Sequence, residues 1–299
     1  MLRWSVPATP GASCTACGAS ADHWNSKEGF LLLRCGTCGT IVARPESGGP
    51  LEPAHYASYH QCSTYEVPEV VEASLDSLAA SAEPYRRTGR WLDIGYGEGG
   101  LLSAAQRRGW ACYGTEQSSD ALAFGRSRGW TVTEQASGDD RFGVEDFDIV
   151  TLVEVIEHLA DPIRALSQAV RWLRPGGLLY LTTPNANSLN RLLLGQQWSI
   201  FCPPEHLTIW TRVGLVEALG GVGMTRIRLR TQGLNPAEIL ARFRPPGRQR
   251  VVHRQAAALS LNQALSRTRP RRALKRAANA ALNLFGIGDT LKAWSEKPW

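Results

Sequence analysis

Residues 91–100 read "WLDIGYGEGG". A short apolar run ends in Asp93, glycines recur at 95, 97 and 99, and the helix-like stretch "LLSAAQRRG" follows. Glycines gather where the backbone must take positive φ or let a ligand come close. The stretch therefore reads as the first strand, turn and helix of a nucleotide-binding α/β unit. The alternation continues downstream: "ACYGTE", "TVTEQ", "FDIVTLVEV" and "GLLYLTTP" have strand character, and "SSDALAFGRSRG" and "PIRALSQAVRWLRPG" have helical period between them. Strands and helices linked by short loops predict a Rossmann-like, doubly wound parallel sheet over residues 89–235, with its ligand at the carboxyl ends of the strands.

Charge around the glycine turn narrows the ligand. Gly95, Gly97 and Gly99 alone fit a dinucleotide or a nucleoside cofactor equally well. Asp93, two residues before the first glycine, and Glu98, inside the turn, would repel a pyrophosphate, which favours a ligand that carries positive charge and no phosphate. Glu116, 21 residues after Gly95, closes the second strand, where a carboxylate can accept both hydroxyls of a ribose.

Asp93-x-Gly95-x-Gly97-x-Gly99, Glu116, "FDIVTLVEVIEHLADP" and "LRPGGLLYLTTPN" together resemble the class I S-adenosylmethionine-dependent methyltransferases, above all their ubiquinone-type O-methyltransferase branch. The resemblance implies that the glycine loop admits the methionine part of the cofactor and that Glu116 binds its ribose. It places Glu154, Glu157 and His158 beside cofactor and substrate. Tyr96 departs from the small or polar residue usual in that loop and is expected to shape the pocket. The adenine contact after the third strand stays open between Asp139 and Asp140.

Methyl transfer from a sulfonium needs a nucleophile held in line and, for a hydroxyl acceptor, a base. Two histidines are placed for that work: His158 in "EVIEHL", with an alternative role in ordering its loop, and His206 in "IFCPPEHLTIW". The proline-rich approach to His206 excludes regular helix and predicts a lid passing over the pocket.

Ahead of this domain, residues 1–60 carry Cys14, Cys17, Cys35 and Cys38 as C-x2-C-x17-C-x2-C, each pair followed by a glycine, Gly18 and Gly39. Two such knuckles bring four thiolates to a tetrahedron, predicting a zinc ribbon whose Zn2+ is structural because no position is left open. Residues 61–88 read as a connecting helix between Pro68 and Pro84 that packs the ribbon against the main domain. Cys62, Cys112 and Cys202 stand alone and read as small buried residues.

The net charge of +6 is uneven. Residues 241–299 hold 13 of the 33 Lys+Arg and 2 of the 27 Asp+Glu, a charge of +11, which leaves −5 for the rest. Residues 236–299 read as a basic helical C-terminal extension, with a helix from Pro270 to Gly286 that buries Leu274, Ala278, Ala281, Leu282 and Phe285 on one side. Its clustered cations fit a solvated basic helix packing on the body, an anionic membrane surface or a phosphate-bearing substrate. Nucleic acid is disfavoured, since aromatic residues do not interleave with the charges and the ribbon is electrically neutral. No apolar run reaches the length of a membrane span and the N-terminus lacks a secretory h-region, so a cytoplasmic address is expected.

An N-terminal ribbon on this domain resembles bacterial methyltransferases of sugar, polysaccharide and natural-product pathways. The expected reaction is O-methylation of a sugar, glycan precursor or other small-molecule hydroxyl. Transfer to carbon of a nucleotide sugar, RNA methylation and a non-catalytic binding role are the alternatives.

Overall fold

The computed structural model describes residues 12–48, 69–134, 142–241 and 269–299. Asp139, Asp140, His55, His60, His253 and Cys62 lie outside them.

The chain opens with β1 (Ala12–Ser13), β2 (Ser20–Lys27), β3 (Phe30–Cys35) and β4 (Ile41–Pro45), an antiparallel meander. Next comes α1 (Glu69–Ser81). The main domain then runs β5 (Arg90–Ile94), α2 (Gly100–Arg107), β6 (Ala111–Glu116), α3 (Ser119–Ser127), β7 (Thr131–Glu134), β8 (Phe147–Val153), α4 (Pro162–Trp172) and β9 (Leu173–Pro184). It continues with α5 (Leu189–Leu194), β10 (Thr208–Ile209), α6 (Arg212–Gly221), β11 (Thr225–Gln232), α7 (Pro236–Ala241), α8 (Arg269–Phe285) and β12 (Thr290–Glu296).

The main sheet has the order β11-β12-β9-β8-β5-β6-β7. Strands β5 to β9 are mutually parallel, and β12 runs antiparallel to both neighbours. The buried run in β8, "FDIVTLV", belongs to a strand covered on both faces. On one face Leu92, Ile94, Val150, Leu152, Leu166 and Ala169 share a core, and on the other Trp91, Leu101, Leu102, Ala105 and Ile149 share a second.

Three sequence readings change. The helix α1 is not a connector: Leu75, Leu78 and Ala79 join the second core, so it covers the sheet beside α2. The C-terminal segment is not an appendage either, because β12 inserts between β9 and β11 and completes the sheet. Its alternation of half-buried and buried residues is the period-2 signature of a strand. The basic segment is thus an insertion between β11 and β12. It leaves from the end of β11, which lies on the same side of the sheet as the carboxyl ends of β8 and β9. The helix α8 ends at Gly286, with φ +70°, as its sequence indicates. Its attachment is polar rather than apolar: Asn279 and Asn283 accept from the backbone of Gly233 and Thr231, while Leu274, Leu284 and Phe285 stay exposed.

The N-terminal sheet is fused to the main domain through β10, which pairs antiparallel with β4 (Thr208 opposite Val42, Ile209 opposite Ile41). Leu32, Ile41 and Ala43 from this sheet pack with Ala186, Leu194, Trp198, Phe201 and Ile209. No described helix is long and apolar enough to cross a membrane.

Candidate active site

The turn after β5 carries φ values of +66°, +51° and +70° at Gly95, Gly97 and Gly99, a conformation costly for any residue with a Cβ. The three glycines differ in what surrounds them. A Cβ on Gly95 would meet Val155 Cγ2 at 2.8 Å, and one on Gly99 would meet the Trp130 ring at 2.5 Å. At Gly97 nothing lies within 4 Å. Close packing against Val155, in the turn after β8, and Trp130, just before β7, therefore demands Gly95 and Gly99, and of the three Gly97 alone presents bare backbone to open space. Tyr96 turns away from that opening: it is buried and its hydroxyl donates to the Ala121 carbonyl at 2.7 Å. The expectation that Tyr96 shapes the pocket is corrected, because its ring fills the gap left by Gly114 and Gly125.

Two buried carboxylates stand beside the turn. Glu116, at the end of β6, accepts from Gly97 N–H at 2.9 Å and from Gln117 N–H at 2.6 Å, so it ties the second strand to the glycine turn. Asp93 accepts from the Thr151 hydroxyl at 2.6 Å. Burial, opposed by that hydrogen bond and reinforced by Glu116, pushes Asp93 up to about 7. A pair of desolvated carboxylates next to accessible backbone suits a cationic ligand with hydroxyls and repels a phosphate. The residues present fit S-adenosylmethionine.

Beyond β8 the chain turns sharply. Glu154 takes φ +53° with its N–H on the Thr182 carbonyl; the residue keeps access to solvent while its carboxyl lies against Thr182 and Glu157, where desolvation raises its pKa. Strained backbone of this kind gathers at functional sites. Glu157 is fully buried and accepts from Thr183 Oγ1 at 3.0 Å, while its Oε1 has no hydrogen-bond donor. Burial, with the charge of Glu154 adding to it, holds the Glu157 carboxyl well above the usual range.

His158 and His206 meet here. Their ring centroids are 4.6 Å apart, Nδ1 of His158 donates to the Glu205 carbonyl at 2.8 Å, and Nδ1 of His206 donates to the Ile200 carbonyl at 2.8 Å. A carbonyl only accepts, so each Nδ1 carries the proton and each ring directs Nε2 to its other side. Burial, and next the neighbouring His158, push His206 down to about 4. One ligand atom each from Glu157, His158 and His206 lies within 4.8 Å of the others.

The segment leading to His206 is a fixed wall and not a free lid. Trp198 and Phe201 are fully buried, Lys27 of β2 donates to the Phe201 carbonyl, and the Leu207 and Thr208 N–H groups donate to the Glu157 carbonyl. The N-terminal sheet thus braces the loop that carries His206.

Within that sheet, Cys14 and Cys38 have sulfurs 3.6 Å apart, as do Cys17 and Cys35, and all four ligand atoms lie within 4.8 Å of one another. A tetrahedron with metal–sulfur bonds of about 2.3 Å has edges of about 3.8 Å, and a disulfide needs about 2.05 Å. The cluster has the dimensions of a metal site. Gly18 and Gly39 take φ +75° and +76°, as the knuckles require. Burial pushes the Cys14 thiol up, so its thiolate calls for a cation, whereas N–H groups of Cys38 and Thr37 bring Cys35 down to about 7 against burial.

Comparison with known proteins settles the family. A family model described as "Methyltransferase domain" matches residues 65–228. The chain belongs to this methyltransferase family. It is 28% identical over 199 residues to a ubiquinone biosynthesis O-methyltransferase of Cereibacter sphaeroides, covering 64% of this chain and 76% of that protein. It is 28% identical over 161 residues to the protein of that name from Hahella chejuensis, covering 46% and 66%. Among solved structures, a SAM-dependent methyltransferase from Archaeoglobus fulgidus aligns over 76% of this chain and 94% of its own with a TM-score of 0.50 at 15% identity, a likeness of fold. The protein is an S-adenosylmethionine-dependent methyltransferase of the α/β class, with an added N-terminal sheet that bears four clustered cysteines.

Sequence reasoning missed Thr151 and Thr183, which hold Asp93 and Glu157, and Lys27, which braces the wall. Thr183 stands in the "TTP" that ends β9, a stretch buried on both faces, where a hydroxyl needs a partner. Thr151 and Lys27 carry no local signal.

Proposed function

We propose that this methyltransferase places the methyl group on a hydroxyl oxygen of a small molecule, a sugar, a glycan precursor or a comparable alcohol, and that His206 takes the hydroxyl proton. The supporting observation is the state its surroundings impose on His206: Nδ1–H is committed to the Ile200 carbonyl, and the ring stays neutral because charging it inside the protein is costly. Its Nε2 keeps a lone pair at every pH above about 4.

When bound, S-adenosylmethionine supplies an activated methyl whose bond to sulfur breaks with the electron pair kept on sulfur. The acceptor oxygen forms the new bond to carbon and gives its proton to His206 Nε2. Gly97 backbone, Glu116 and Asp93 hold the cofactor. His158, with Glu157 at 3.9 Å from its Nε2, orders the loop and gives the transferred proton a second place to rest. Relatives named O-methyltransferases favour oxygen over carbon as the acceptor atom. We further infer that Cys14, Cys17, Cys35 and Cys38 hold one structural zinc ion.

A second reading has its own observation. Two histidines that each donate Nδ1–H to a carbonyl, beside a carboxylate with an unpaired oxygen, have the arrangement of metal-ligating side chains. A divalent cation on Glu157, His158 and His206 would then lower the hydroxyl's pKa in place of a base. Turnover in the presence of a chelator, at a level that leaves the four-cysteine site loaded, separates the two. Undiminished turnover supports His206 as base, and loss that added magnesium or zinc restores supports the cation.

A further inference from the structure

The helix α8 packs with the wrong side inward. At about 100° per residue its side chains divide into two faces. Lys275, Asn279, Leu282 and Asn283 share one arc, and these are the half-buried positions of the helix. Asn279 Oδ1 accepts from Gly233 N–H at 3.0 Å, Asn283 Oδ1 accepts from Thr231 N–H at 2.9 Å, and the Leu282 carbonyl accepts from the Thr231 hydroxyl at 3.0 Å. The opposite arc holds Leu274, Ala277, Ala278, Ala281, Leu284 and Phe285, and every one is exposed, Leu284 by 79% and Phe285 by 71%. A helix on the surface of a globular protein ordinarily buries its apolar stripe and wets its polar one. In α8 a polar edge holds the helix to β11, and the apolar face points away from every described residue.

Two further helices with exposed leucines start beside its end. The Ile287 carbonyl accepts from Leu189 N–H at the head of α5, and the Asp289 carboxylate accepts from Asn235 N–H at the head of α7. Leu192 and Leu193 of α5 and Leu240 of α7 are exposed. Charge accompanies the apolar surface. Residues 242–276, the run of chain that leads into α8 and forms its first half, hold 11 Lys+Arg and no Asp or Glu.

An apolar helix face flanked by cations alone has to be matched by one surface that takes both. A second copy of this chain set two-fold on α8 would bring two such runs of cations together, and like charges repel. A bilayer with anionic lipid receives leucine and phenylalanine at the boundary of headgroups and acyl chains and pairs the cations with lipid phosphates.

We propose that α8 docks this methyltransferase on an anionic lipid bilayer, with Leu274, Leu284 and Phe285 inserted and the basic residues of 242–276 against the headgroups. Thr290, just beyond α8, pairs with Pro184 at the end of β9, so the docked bilayer lies beside the carboxyl ends of the strands. The proposal does not rest on the acceptor atom or on His206.

The test is co-sedimentation of the full-length, metal-loaded protein with vesicles of phosphatidylcholine alone and of equal parts phosphatidylcholine and phosphatidylglycerol, in low and in high salt. Wild type is expected to bind the mixed vesicles at least tenfold more tightly, and high salt to remove most of that preference. The double variant Leu284→Glu, Phe285→Glu is expected to bind mixed vesicles at least tenfold more weakly, with melting temperature and solution mass unchanged. Arg276→Gln alters one exposed cation of α8, leaves the apolar face whole and is expected to weaken mixed-vesicle binding about fivefold. The proposal is overturned if wild type shows no preference for the mixed vesicles or if the double variant binds them as wild type does. It is overturned equally by a lower melting temperature in the double variant, which means that another part of this chain covers the face, or by a wild-type dimer that the double variant splits, which means that a second copy covers it.

Discussion

Replacing Gly97 by alanine separates folding from cofactor binding. The residue has φ +51° and no atom within 4 Å of the place a Cβ would occupy. The added methyl therefore meets nothing in the protein, and the only cost to folding is left-handed backbone, about 1–2 kcal/mol, a fall of a few degrees in melting temperature. With the cofactor placed as proposed, the same methyl fills the space through which the backbone would meet it. Losing one or two close contacts there costs about 1.5–3 kcal/mol, roughly 10- to 150-fold in affinity. Gly99→Ala is the contrast: its Cβ lands 2.5 Å from the buried Trp130 ring, so the ring must move, and the fold rather than the affinity is hit first. Calorimetry with S-adenosylmethionine and urea unfolding on both variants read the two effects apart. Wild-type affinity in Gly97→Ala would refute the assignment of the open face to the cofactor.

Other expectations follow from the buried charges and the braced wall. Asp93 titrates near 7 folded and near 3.8 unfolded, so below about pH 4 it costs nothing and by pH 8 it costs about 4 kcal/mol. Cofactor-free Asp93→Asn should then be more stable than wild type at pH 8, lose that advantage as the pH falls toward 4, and bind S-adenosylmethionine more weakly; urea titrations across pH check it. His206→Ala should lower kcat about 100- to 10,000-fold with cofactor affinity unchanged. Because the His206 pKa is depressed to about 4, the wild-type rate should show no inflection near 6.5 from this group and should fall only as the pH drops toward 4. Wild type is expected to carry one equivalent of zinc by elemental analysis, and Cys35→Ser to lose it. The variant should also slow turnover while leaving cofactor affinity intact, because the β4–β10 pairing that steadies His206 is weakened.

The legible parts of this protein are those whose signal is local. Strand and helix periods between residues 90 and 184 and the four-cysteine spacing each depend on neighbours a few residues apart, and each matches an observed element. Sheet position is not local. Nothing in "TLKAWSE" says that it will pair with β9 rather than lie outside the domain, because that choice is made by partners far along the chain. The Thr208–Ile209 strand is too short to show a period, so the fusion of the two sheets was invisible. Three glycines look alike in a sequence, and only the positions of Val155 and Trp130 tell two packing glycines from the one that faces open space. Nothing local in "SLNRLLL" shows that the fold closes over Arg191.

The most direct test of the account is transfer of a radiolabelled methyl group from S-adenosylmethionine into a fractionated cell extract, run with wild type and with His206→Ala in parallel. Label is expected in the small-molecule fraction, in a product whose methyl is ether-linked to oxygen, and at least a hundredfold less with His206→Ala. Label confined to RNA or protein, or an undiminished yield with His206→Ala, would contradict it.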